Sequence, residues 1–251
     1  MKRLSVLSSA VLATVLTAHL AAITYGFPDG NRHPNVGALV DTYSGGLYPY
    51  CSGTLISPTV FLTAAHCNIG SNRVSVTFST SFSGRVKQLP GTFHADPRYT
   101  WKQDDPHDIA VVILDKPVTG ITPAALPTAG QLESSDQSSE FTAVGYGGDE
   151  VINQPGGPVI PYFDQRQYAT SFYNSINQAY LRLSQNPANG AGGTCYGDSG
   201  GPNFIGAGTS ETNIVGATTI TGDALCKATN VTYRLDTAAA RSFLGAFVAL
   251  P

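Results

Sequence analysis

The sequence predicts an all-β protein closed by one C-terminal helix, and three observations carry that expectation. Short β-branched runs alternate with turns over most of the chain. The 27 Gly and 16 Pro suit many strands joined by tight turns better than long helices. Only Thr237–Ala249 sets apolar residues at helical spacing, Phe243 with Phe247 and Leu244 with Val248. The 251 residues allow one large β domain or two small packed ones, and 42% hydrophobic residues are enough for a core. With 12% charged residues and a net charge of -3, there is no basic footprint for nucleic acid.

The chain begins Met1-Lys2-Arg3, followed by an apolar run from Leu4 to Ala22 interrupted only by Ser, Thr and His19. A basic tip before a short apolar stretch ending in small residues reads as a secretory signal peptide over residues 1–22, and so as an extracellular protein. A membrane anchor fits less well: the run is near the lower length limit, rich in Ser and Thr, and no basic cluster follows it. Strands are expected at Gly37–Val40, Ser52–Ile56, Val60–Thr63, Val74–Phe78 and Ile109–Leu114. A Pro-, Gly- and Ser-rich connector over 115–139 separates these from strands at Glu140–Val144, Arg166–Phe172, Phe204–Ile205, Ile214–Thr219 and Val231–Arg234. Gly145–Pro161 reads as a long loop bordering a site. Asp236 or Thr237 can cap the final helix.

The four cysteines, Cys51, Cys67, Cys195 and Cys226, are an even set in an exported chain. They suggest two disulfides, with three pairings open. No CxxC spacing supports a zinc site.

Chemistry concentrates in Gly193-Thr194-Cys195-Tyr196-Gly197-Asp198-Ser199-Gly200-Gly201-Pro202. Its glycines permit a tight loop that presents the Ser199 hydroxyl while the amides of Gly197 and Ser199 converge on one point, as an oxyanion hole requires. Taken alone, the run also fits a simple turn, the lesser of the two readings. A serine hydroxyl is a poor nucleophile until a base takes its proton, and that base needs a carboxylate to fix its tautomer. Thr63-Ala64-Ala65-His66-Cys67 offers the base, and Asp108, opening the apolar run Ile109–Leu114, offers the carboxylate. Either would pass alone for a structural residue; together with Ser199 they form a catalytic set. His107 points away from Asp108 on a strand, and His33 and His94 have no ligand spacing for a metal.

These segments resemble the trypsin/chymotrypsin family of serine proteases. The likeness rests on Cys51–Ser57 leading into Thr63–Cys67, on Asp108–Leu114, on Val144-Gly145-Tyr146-Gly147 and on Gly193–Pro202, in the order His, Asp, Ser. The resemblance implies two packed six-stranded antiparallel β-barrels with the site between them. The first would span about 23–120, the second about 136–236, and the helix about 237–249. It implies that Ser199 attacks a peptide carbonyl, that His66 carries the proton, that Asp108 orients His66 and that Gly197 and Ser199 hold the oxyanion. It pairs Cys51 with Cys67 and Cys195 with Cys226. It calls for no cofactor and no metal, for protein or peptide substrates, for protein inhibitors as candidate partners, and for a monomer without nucleic acid or membrane.

By the same resemblance, Gly193 lies at the base of the substrate pocket, Val215-Gly216-Ala217-Thr218 forms one wall, and the other falls near Asn230–Val231. Gly193, Gly216, Thr218 and Val231 thus outline a neutral, partly filled pocket for a small or medium apolar side chain. Asn230-Val231-Thr232 is a glycosylation sequon, read as an unmodified structural asparagine. Ile23-Thr24-Tyr25-Gly26 resembles the new terminus such proteases expose, its ammonium pairing with Asp198. Because Ile23 directly follows Ala22, signal removal itself would create that terminus; the alternatives are a later cut, or an Asp198 stabilised internally without a free terminus. Two other readings compete. A non-catalytic relative serving as a binding module would be expected to lack part of the triad. An esterase with a nucleophile elbow would order its residues Ser, acid, His.

Overall fold

The computed structural model describes residues 23–251 except 103, 150 and 163, so the expected signal peptide lies outside the described residues. After a two-residue β1 (Phe27–Pro28) come β2 (Val36–Tyr43), β3 (Gly46–Ser57), β4 (Val60–Thr63), β5 (Arg73–Thr77), β6 (Leu89–Ala95) and β7 (Ala110–Leu114). The last six close on themselves in the order β2-β3-β4-β7-β6-β5, every pairing antiparallel. β4 is buried along its whole length and β7 nearly so, which is why both read as unbroken apolar runs instead of alternating ones. Phe61 of β4 is fully buried and meets Phe78 edge-on, with ring centroids 5.8 Å apart.

The second half contributes β8 (Glu140–Gly145), β9 (Ile152–Gln154), β10 (Gly157–Val159), β11 (Gln167–Ile176), β12 (Tyr180–Ser184), β13 (Pro202–Ile205), β14 (Val215–Gly222) and β15 (Thr229–Arg234). Strands β11-β12-β15-β14-β13-β8 run in that order, and a β8–β11 ladder closes them into a second six-stranded barrel. β1 adds to β11 by pairing Phe27 with Tyr168, which lays the N-terminal segment of the described chain across the second barrel. β9 and β10 form a small hairpin inside the stretch expected to be a plain loop.

The helix α1 (Ala238–Leu244) is shorter than the expected 237–249. Thr237 caps its start by accepting the Ala240 amide at 3.2 Å. Beyond Gly245 the amides of Ala246 and Phe247 turn back three residues, to Phe243 and Leu244, so the chain tightens into turns. The aromatic pair survives: Phe243 and Phe247 lie 5.2 Å apart, with Phe247 5.8 Å from His94 of the first barrel.

A buried ionic cluster ties the N-terminal segment to both halves. Arg166, 1% exposed, donates to Asp29 and, at 2.7 Å, to the Val36 carbonyl. His33 sits between two carboxylates, Asp29 at Nδ1 and Glu211 at Nε2, the latter at 2.6 Å, and stacks on Phe204. Burial of His33 opposes protonation, but the two carboxylates outweigh it and raise its pKa above the ordinary value.

Candidate active site

β4 and β7 are neighbours, with Thr63 opposite Ala110, so the residues flanking them meet at one end of the first barrel. There the chain after β4 makes a single 3-10 turn, Ala65–Cys67, that carries His66, and Asp108 precedes β7. His66 Nδ1 lies 2.7 Å from Asp108 Oδ2, and the His66 amide donates to Oδ1 at 2.9 Å. One carboxylate thus grips both the ring and the backbone of the same residue. A proton held on Nδ1 by that contact leaves Nε2 as the accepting nitrogen. The Asp108 side chain is 6% exposed, and the His66 side chain 19%, open toward the cleft.

Two disulfides stake out the region. Cys51 of β3 is bonded to Cys67 beside His66, and Cys195 to Cys226 across the loops of the second barrel. Among the described residues, Cys51, His66 and Cys67 form the one group with metal-ligand spacing, but both sulfurs are committed to the disulfide.

The Ser199 loop belongs to the second barrel and is held by the first. Ser52 of β3 donates its amide to the Ser199 carbonyl at 2.8 Å and its hydroxyl to the Gly197 carbonyl at 3.0 Å, while that hydroxyl accepts the Tyr146 amide. Gly197 and Gly200 both adopt positive φ, 98° and 82°. At Gly200 a Cβ would lie 2.1 Å from Thr63 Oγ1 and 2.4 Å from the Ser52 carbonyl, so only glycine lets the loop approach the first barrel this closely. The neighbouring Asp198 side chain is fully buried and accepts the amides of Gly147 (2.8 Å) and Cys195 (2.9 Å). Burial pushes its pKa up to about 7 against the pull of those two amides, and among the described residues no cation faces it.

His66 and Ser199 open into one cavity of about 360 Å³. It is lined further by Thr194, the Cys195–Cys226 bridge, Thr219–Asp223, Trp101 and Tyr196. Asp223 lines it, but its carboxylate accepts the amides of Lys227, Ala228 and Thr229. Burial would raise the Asp223 pKa; those amides prevail and hold it below the usual value.

The expected triad residues His66, Asp108 and Ser199 therefore meet in one place, with Gly197 in the same loop. The four expected pocket residues do not line this cavity. Gly193 lies behind it: its amide donates to Thr24, and a Cβ there would sit 2.2 Å from Oε1 of Gln185. Gln185 uses its carboxamide to bridge the Thr194 amide and carbonyl. Gly216 and Thr218 are buried along β14, and Val231 faces an adjoining cavity that shares Trp101, Ile220 and Thr221 with this one and is bordered by Tyr99 and Arg182. The cause is register. Gly200 donates to the Thr219 carbonyl and Thr219 donates to that of Gly201, so the wall beside Ser199 begins at Thr219, four residues later than expected. Thr194, Thr219–Asp223, Trp101 and Gln185 were not anticipated. Counting back from Cys226, which lines the same cavity, would have found the wall. Asn230 is fully buried and donates to Asn203, which leaves no room for a glycan.

The sequence of residues 29–239 matches the family model Trypsin. The chain belongs to the trypsin family of serine proteases. It is 30% identical to brachyurin of Leptuca pugilator over 74% of this chain and 85% of that protein. It is 29% identical to a trypsin of Saccharopolyspora erythraea over 69% of this chain and 77% of that one. It is 30% identical to the snake venom serine protease serpentokallikrein-1 of Protobothrops mucrosquamatus, over 68% of each chain. This trypsin-family chain is a serine-type endopeptidase acting on protein substrates. Among its described residues no helix is long and apolar enough to cross a membrane.

Proposed function

We propose that this protease cleaves peptide bonds through an acyl-enzyme on Ser199, with His66 as general base and then general acid, and Asp108 as its orienting carboxylate. The observation that carries this reading is the double grip of Asp108 on His66 beside the cavity that also holds Ser199. His66 Nε2 takes the Ser199 proton as Oγ adds to the substrate carbonyl, and the Gly197 and Ser199 amides stabilise the resulting oxyanion. The same imidazolium then protonates the departing amine, and water repeats the sequence to release the acid. Ser199→Ala should abolish hydrolysis and fluorophosphonate labelling in a folded protein. Labelling that persists on another residue would overturn the assignment.

Cleavage is proposed after small or medium apolar residues. Thr194, Thr219 and Thr221 narrow the cavity, and its one acid, Asp223, is saturated by backbone amides. A peptide-library profile dominated by Lys or Arg would refute this. The protein is further proposed to be a secreted monomer, open to protein inhibitors, whose residues 1–22 are removed by hydrolysis before Ile23. Ile23 is fully buried against Ala143 and Ala169. An ammonium freed there would supply the buried Asp198 carboxylate with the cation it needs. N-terminal sequencing of the secreted enzyme tests this, and a start well after Ile23 contradicts it.

A further inference from the structure

We infer that Gln167 is a positioning residue for the new N-terminus: its buried carboxamide accepts the Ile23 ammonium and completes its pairing with Asp198. The inference rests on the Ile23–Asp198 reading above and adds a third group to it.

β8 and β11 pair with Ala143 opposite Ala169 and Gly145 opposite Gln167. Directly opposed side chains leave a sheet on the same face, their Cβ atoms about 5 Å apart, and every second residue shares that face. Ala143 and Ala169 cluster with Ile23, so Gln167 points into the interior that receives Ile23. The same face looks onto Asp198: a Cβ built on Gly145 would lie 2.1 Å from Asp198 Oδ1. The Gln167 side chain begins about 5 Å from that point and carries its amide two carbons further, within reach of both groups.

Gln167 is 0% exposed, and neither Oε1 nor Nε2 has a hydrogen-bond partner. The Thr24 hydroxyl, one residue after Ile23, is equally buried and unpartnered. Native interiors rarely leave a carboxamide unmade at both ends, because its desolvation is then uncompensated. In the uncut chain, Ile23 nitrogen is an amide with one proton. A chain that starts at Ile23 carries three donors at the same place. Asp198 takes one, Gln167 Oε1 a second, and Gln167 Nε2 donates to a free lone pair of Asp198. The orphaned amide is thus half of a receptor for a charged terminus.

The test uses two chains, one extended before Ile23 and one beginning at Ile23, both carrying Ser199→Ala to prevent self-digestion. Gln167→Met removes the amide at nearly constant volume. In the extended chain it should raise Tm, by about 2–4 °C, because an unmade amide disappears. In the chain starting at Ile23 it should lower Tm by a similar amount, and with Ser199 restored it should reduce the titratable active-site fraction several-fold. Gln167→Leu should reproduce both signs. Shifts of the same sign in the two chains, or none in either, would overturn the inference, since a merely structural amide cannot distinguish them. The parent reading fails separately, and takes the inference with it, if the two unmutated chains match in Tm and active fraction. A difference between them that survives Gln167→Met sinks the Gln167 role alone.

Discussion

Removing the Cys51–Cys67 disulfide, by replacing both residues with alanine, separates what holds His66 from what holds the fold. The two cysteines are 16 residues apart, and a cross-link closing a loop of that size stabilises by about 3 kcal/mol through the unfolded chain. For a domain of this length, that converts to a Tm lower by about 6–12 °C. The Cys195–Cys226 loop is longer, at 31 residues, and its removal should lower Tm slightly further, corresponding to about 3.7 kcal/mol. The kinetic consequences should diverge. His66 keeps both of its bonds to Asp108 without Cys67, so kcat at 25 °C should stay within about threefold. Cys195 and Cys226 line the cavity, so their loss should raise KM more than it lowers kcat. Calorimetry in a Ser199→Ala background and steady-state kinetics in the active enzyme measure the two effects. A folded Cys51/Cys67 variant with collapsed kcat would refute the reasoning, because the bridge would then be the real anchor of His66.

Two further outcomes follow from contacts already described. Gly193→Asp should lower soluble yield and Tm without bringing cleavage after Lys or Arg, because its Cβ would collide with the Gln185 carboxamide at 2.2 Å; a stable variant with tryptic specificity would contradict this. The Asp29–His33–Glu211 cluster should give stability a pH optimum. The raised His33 pKa contributes fully below its unfolded value of 6.5 and is lost as pH rises through the folded one, whereas Asp29 and Glu211, with lowered pKa values, contribute above 3.8 and 4.5 and fail as pH falls. His33→Gln should flatten the alkaline slope of Tm, and an unchanged slope would show that the cluster is not responsible.

What could be read in the sequence was local. Val60–Thr63 was bounded to the residue, because a strand buried on both faces is a continuous apolar run between turn residues. β6 and β12 went unread: Leu89–Ala95 contains a proline and a glycine, and Tyr180–Ser184 places an arginine and a serine among its apolar residues. Both take their strand form from the strands on either side, β5 and β7 for one and β11 and β15 for the other, of which β15 is remote in sequence. At the site, His66, Asp108 and Ser199 could be proposed only together, because their runs occur jointly and in order while each alone passes for a structural residue. The pocket wall was not, since Thr218 and Thr219 look alike in sequence. Two backbone hydrogen bonds to the Ser199 loop decide between them. Gln185 escaped notice for a related reason: nothing in Ser184-Gln185-Asn186 signals that its amide will occupy the space behind Gly193.

Ser52 is a small residue of the first barrel that holds three points of the second: the carbonyls of Ser199 and Gly197 and the amide of Tyr146. Any thermal excursion that parts the barrels must therefore break the very bonds that shape the Ser199 loop. With Ser199 as the proposed nucleophile, a widened cleft would by the same motion be a disarmed one, and reactivity would be confined to the closed arrangement.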